Sequence, residues 1–197
     1  MTKKYDLHCH STASDGVLSP TELVHRAYAQ GVNVLALCDH DTIAGIDEAE
    51  IAAKEVGIEL ITGVEISTNW EGRGIHIVGL NFDKTHPKMT ALLQSQKALR
   101  EKRTVEIGDK LEKVGIPNAY EGAKALANGE VTRAHYARYL VQIGKVSNDR
   151  QAFKRYLGQG KPAFVKAEWT DIPTAIDIIH AAGGIAVIAH PLRYNMT

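Results

Sequence analysis

YDLHCHSTASDGVLSPTELVHRAYAQGVNVLALCDHDT, residues 5–42, reads as strand, helix, strand, and this reading decides the fold. The first strand is expected over 5–10. Ser19 followed by Pro20, with Glu22 three positions on, is a capping-box start for a helix over 20–30. Gly31 ends that helix, and the apolar run over 32–38 is the second strand. Working outward, a second helix is expected over about 47–56, ended by Gly57, and further strands over 59–67 and 74–80 about a turn containing Asn69 and Gly72. The rhythm then breaks. Residues 85–157 carry long, charged helical stretches without a strand signal and read as an inserted helical lid. A helix over about 173–182 and the apolar run IAVIAHP, a strand of the fully buried type, return to the first pattern.

Alternating strands and helices indicate an α/β domain with a parallel barrel or open sheet. About five strands fall short of the eight of a closed (β/α) barrel. The expected organisation is therefore an incomplete barrel over 1–84 and 158–197, interrupted by the insertion.

Composition sets outer limits. The 197 residues are 44% hydrophobic and 23% charged, with 23 Lys plus Arg against 23 Asp plus Glu. Disordered and disulfide-scaffold classes are excluded. A net charge of +0 gives no general attraction to polyanions, so any phosphate contact must come from a local patch or a metal. Cys9 and Cys38 are too few for a disulfide framework and point to a reducing compartment. The N-terminus has no apolar signal stretch and no run is long enough to span a membrane, so a cytoplasmic location is expected.

The chemistry lies at the strand ends. His8 and His10 are two apart on one strand and therefore share a face, convenient for gripping one metal. Asp15 follows in the next loop, CDHDT supplies Asp39, His40 and Asp41, Glu65 stands in an otherwise apolar run, and His76 and His190 complete the pattern. An unpartnered Glu in a core strand is costly to bury and asks for a cation. Imidazoles mixed with carboxylates, and no cysteine at a ligand position, suit Mn²⁺, Fe²⁺ or Zn²⁺. Seven candidate ligands, His8, His10, Asp15, His40, Glu65, His76 and His190, exceed one ion's needs and imply at least two metals bridged by Glu65. Two close metals suit hydrolysis of a phosphate ester.

DLHCHST, DHDT, GVEIS, His76 and the late AHP together resemble the polymerase and histidinol phosphatase (PHP) domain family over essentially the whole chain. The opening HxH alone is also common among amidohydrolases. The resemblance implies a distorted (β/α)7 barrel, a site of two or three divalent ions with Mn²⁺ expected first, and phosphoester hydrolysis by a metal-bridged hydroxide. A histidine beside the ligands, or a water, would protonate the leaving oxygen. The same seven residues match the family's metal ligands, with His8, His10, Glu65 and His190 as the expected catalytic residues and Asp39 orienting a ligand from behind. Arg133 and His135, from VTRAHYARYL, and Arg193, from HPLRY, match positions expected to bind the substrate phosphate.

Those two segments resemble small bacterial phosphoesterases acting on nucleoside 3′,5′-bisphosphates and RNA 5′ ends. A small phosphorylated nucleotide is thus the expected substrate, with histidinol phosphate or another sugar phosphate, or a catalytically silent PHP module, as alternatives. One departure stands out: the family's late Asp-x-His pair has no counterpart after His190. The expected fold is therefore a barrel cut short on its C-terminal side, as in a fragment.

Overall fold

A computed structural model describes residues 2–194 of the chain. These residues divide into two units, 2–97 with 169–194, and 98–168.

The first unit is built on a curled, six-stranded sheet. Its strands are β1 (Tyr5–Cys9), β2 (Val34–Leu37), β3 (Glu59–Trp70), β4 (Arg73–Leu80), β5 (Thr170–Asp171) and β6 (Ile185–Ile188). The order is β1-β2-β3-β4-β6, with β5 paired to the far end of β3. Helices α1 (Pro20–Ala29) and α2 (Ile46–Val56) connect the first three strands, which run parallel as expected. Ser19 caps α1: its Oγ accepts from the Glu22 amide at 3.2 Å while the Glu22 carboxylate accepts from the Ser19 amide at 2.8 Å, the full capping box. Val24, Leu35, Leu37, Ile46 and Ala49 pack the core between these helices and the sheet.

The all-parallel expectation fails at β4. Glu71 and Gly72 both have positive φ, 46° and 76°, which makes a tight two-residue hairpin between Trp70 and Arg73. Asn69, expected in the turn, is still in β3. The hairpin returns β4 antiparallel to β3, and β6 pairs antiparallel to β4, so β4 alone runs against the other five strands. A crossover long enough for a parallel connection was never available between residues 70 and 73. The second correction concerns β6. It forms the end of the strand order, and Ile185, Val187 and Ile188 are 42–61% exposed, not fully buried. Its apolar sequence could not distinguish burial on both faces from a place at the edge of the sheet.

Helices α3 (Pro87–Lys113) and α7 (Ile172–Ala181) complete the elements of this unit, with only the start of α3, as far as Lys97, belonging to it. Val64, Ile66, Ile75, Met89 and Ile179 form the core on that side.

The second unit takes the rest of α3, α4 (Ala119–Ala125), α5 (Arg133–Gln142), α6 (Asp149–Ala152) and a π-helical turn over Phe153–Leu157. Its own core gathers Ile107, Leu111, Tyr136, Leu140 and Leu157. The buried Tyr136 hydroxyl donates to the Thr104 carbonyl at 2.6 Å. Among the described residues no helix is long and apolar enough to cross a membrane.

Gly63 sets the approach of β2 to β3. A Cβ there would lie 2.5 Å from the Leu37 carbonyl oxygen and 2.6 Å from Cys38 Sγ. Gly63→Ala is therefore expected to cost about 1–3 kcal/mol in urea unfolding. Gly74→Ala, with nothing within 4 Å, should stay within about 0.5 kcal/mol.

Candidate metal centre

The strand geometry brings five of the nine histidines to one point. β1 presents His8 and, one residue past its end, His10. His40 follows β2 by three residues and pairs with Glu65 in an isolated parallel bridge that extends the β2–β3 ladder. Glu65 lies in the middle of β3, the longest strand, and His76 lies inside β4. His76 therefore reaches the site from an antiparallel strand rather than from a carboxyl end. His190 follows β6 with φ of 31°, a left-handed backbone unusual for a residue with a side chain.

At the centre is the Glu65 carboxylate, 1% exposed. Its Oε1 lies 2.9 Å from His76 Nδ1 and 2.9 Å from His190 Nε2. Its Oε2 lies 3.2 Å from each of His8 Nε2, His10 Nε2 and His40 Nδ1. Asp15 stands behind, 3.5 Å from His10 Nδ1 and 3.6 Å from His40 Nε2. Burial alone would push the Glu65 carboxyl up, but hydrogen bonds from His10, His76 and His8 and the charge of His40 outweigh it and hold the group far below the usual carboxylate range.

This arrangement fits cations better than it fits hydrogen bonding. Three ring nitrogens face Oε2, which has two lone pairs, and His8 Nε2 is 3.2 Å from His10 Nε2. His190 Nδ1 is buried without a hydrogen-bond partner. Three donor groups each bring ligand atoms within 4.8 Å of one another: His8, His10 and Glu65; His10, Asp15 and His40; and His40, Glu65 and His76. Glu65 occurs in two of the three, the position a bridging carboxylate takes. Nitrogen and carboxylate donors converging in this way suit Zn²⁺, Mn²⁺ or Fe²⁺.

Asp39 acts on the loop that carries His10 and Asp15, two of the candidate ligands. Its carboxylate accepts from the Ser11 amide at 2.8 Å, the Ser11 hydroxyl at 2.6 Å and the Ser14 hydroxyl at 2.5 Å, all buried. Burial raises its pKa, and these three bonds work in the opposite sense. The same loop doubles back so closely that a Cβ on Gly16 would overlap the His10 carbonyl.

Several participants have no role assigned to them by the sequence alone. Asp41, with φ of 53°, accepts from the Ser67 amide at 2.7 Å and from Gln96 Nε2 at 3.1 Å, which holds β3 just beyond Glu65. Its place in CDHDT was a signal. Gln96, in a charged helix, offered none. The Tyr194 hydroxyl accepts from the His76 amide at 2.9 Å, and its ring lies 5.4 Å from that of His190.

Of the residues expected to bind phosphate, Arg193 belongs to the first unit and Arg133 and His135 to the second. Arg193 is exposed in a 3-10 turn over Pro191–Arg193. Arg133 and His135 open α5 in the second unit. The Arg133 guanidinium lies 5.5 Å from the centre of the Phe153 ring. His135 is buried, and its Nδ1 accepts from the Thr132 amide at 3.0 Å as part of the helix cap.

Comparison with known proteins agrees with this geometry. The sequence matches the PHP domain family over residues 6–169. The chain belongs to that family, and with it to the metal-dependent hydrolases. A 5′-3′ exoribonuclease of Haemophilus influenzae is 95% identical over 197 residues, which make up all of this chain and 72% of that protein. A 3′,5′-nucleoside bisphosphate phosphatase of Chromobacterium violaceum is 43% identical over 193 residues, 97% of this chain and 68% of that protein. The solved structure of an amidohydrolase from Chromobacterium violaceum, with bound sulfate and no metal, superposes with a TM-score of 0.96 at 42% identity, over 98% of this chain and 69% of that one. The fold is accordingly that of the PHP phosphoesterases, with the described strands forming a curled half-barrel.

Divalent ions that bind the folded chain but not the unfolded one must stabilise it. At Mn²⁺ a hundredfold above its dissociation constant the gain is about 2.7 kcal/mol, or roughly 5–10 °C in melting temperature. Differential scanning fluorimetry with and without a chelator should show this shift, and Glu65→Gln should remove most of it.

Proposed function

We propose that the chain is a phosphoesterase that removes the 3′-phosphate from a nucleoside 3′,5′-bisphosphate and, at the same site, shortens RNA from its 5′ end. The observation that carries this reading is the buried Glu65 carboxylate ringed by five imidazoles. Two relatives with those activities in their names support the substrate class.

The ions would be held by His8, His10, Asp15, His40, Glu65, His76 and His190, with Mn²⁺ expected first and Fe²⁺ or Zn²⁺ as substitutes. When bound, they would acidify water and draw charge from the phosphoryl oxygens. The chain's own residues supply position. Glu65 keeps five rings turned to one point, and Asp39 fixes the loop of His10 and Asp15 through Ser11 and Ser14. Such outer partners of ligands commonly matter 10–100-fold in metal affinity or activity. Arg133, His135 and Arg193 are the residues we assign to the substrate phosphate. A guanidinium offers a fork of donors matched to phosphate oxygens. A cytoplasmic location fits the two free thiols.

Phosphate release from adenosine 3′,5′-bisphosphate with added Mn²⁺ tests the reading. His8→Ala should lose at least about 100-fold in kcat/KM, beyond the usual effect of an outer partner. Release that survives this change unaltered would remove the metal-site assignment. Arg133→Ala should chiefly raise KM, because it takes away binding rather than the nucleophile. Unchanged KM and kcat would take Arg133 out of the site.

A further inference from the structure

The balanced net charge of the chain conceals a strong segregation. Residues 98–168 hold 14 Lys plus Arg against 8 Asp plus Glu, a net charge of +6. The first unit holds 9 against 15, a net charge of −6. Most of the excess lies in one short segment. Residues 145–166 contain Lys145, Arg150, Lys154, Arg155, Lys161 and Lys166, with Asp149 the only acidic residue.

All six cations are exposed. No carboxylate pairs with any of them among the described residues. The backbone gathers several into one patch. Arg155 Nη1 donates to the Lys145 carbonyl at 3.2 Å, which ties the start of the segment to its middle. The π-helical turn over Phe153–Leu157 turns Lys154 and Arg155 outward while Leu157 is fully buried, and π turns of this kind are frequent at functional sites. Gly158 and Gly160 then lead the chain to Lys161. The Arg155 guanidinium lies 5.5 Å from the centre of the Tyr156 ring, presenting its planar face, and Phe153 and Phe164 are half-buried nearby in sequence. A solvated helix face would intersperse both signs of charge. Here one sign dominates over 22 residues.

We infer that residues 145–166 form a binding surface for the phosphate backbone of single-stranded RNA. Cationic side chains interleaved with aromatics are the chemistry that follows such a backbone without reading sequence. The inference deepens the proposed action on RNA and rests on that reading for its purpose. A nucleoside bisphosphate is too small to need the surface, so the segment would divide long substrates from short ones.

The test is fluorescence anisotropy of a labelled 12-nucleotide RNA with the full chain, metal chelated, across a salt series. If all six cations engage phosphates, the slope of log affinity against log salt approaches about −4. Lys154→Gln, Arg155→Gln and Lys161→Gln together should weaken binding at least tenfold at low salt and make the slope shallower by about 2. The control triple Arg26→Gln, Lys54→Gln and Lys88→Gln removes the same charge from the first unit and should change neither. With Mn²⁺, the first triple should raise KM for the RNA and leave adenosine 3′,5′-bisphosphate hydrolysis unchanged.

The inference is overturned if RNA does not bind, if both triples weaken it equally, or if duplex DNA or polyglutamate binds as tightly. Failure of the wild type to release phosphate, with RNA binding intact, would count against the proposed reaction and leave the surface standing.

Discussion

The rest of the first unit depends on one buried carboxylate. Glu65 sits in the middle of a core strand, where an isolated charge would be expensive. Five histidines converge on its two oxygens, and they come from β1, the segment after β2, β4 and the segment after β6. The convergence makes sense as a cage for positive charge, with the carboxylate shared between donor groups.

Around that cage the polar network is backbone-directed. Asp39 holds the loop after β1, and Asp41 holds β3 beyond Glu65 and reaches Gln96 at the start of α3. Each carboxylate is buried and satisfied by amides, hydroxyls or a side-chain amide, so neither carries an uncompensated cost. The two acidic residues that flank His40 thus fix the loop after β1 and the strand that carries Glu65. His190 reaches the carboxylate from a left-handed backbone next to Pro191.

The two units also differ in electrostatic character. The candidate metal centre lies in the acidic unit, and the basic excess is concentrated after α5. The overall balance argues only against general polyanion attraction. Charge summed over the chain loses the distribution on which local association depends.

Much of the centre was legible in the sequence. HxH on a strand puts two rings on one face whatever the fold, and a Glu inside an apolar run announces a partner. The capping box at Ser19 and the helix stops at Gly31 and Gly57 were equally local. What escaped was set by contacts distant in sequence. The direction of β4 followed from a two-residue turn, and the exposure of β6 from its place in the strand order. The roles of Ser14, Gln96 and Tyr194 came from partners 25, 55 and 118 residues away. The sequence by itself determined the donor types and their spacing along each strand, because alternation and capping act within a few residues. Only the tertiary structure decided which oxygen of Glu65 each ring faces and which backbone segments Asp39 and Asp41 hold, because those depend on register between strands and on long-range closure of the chain.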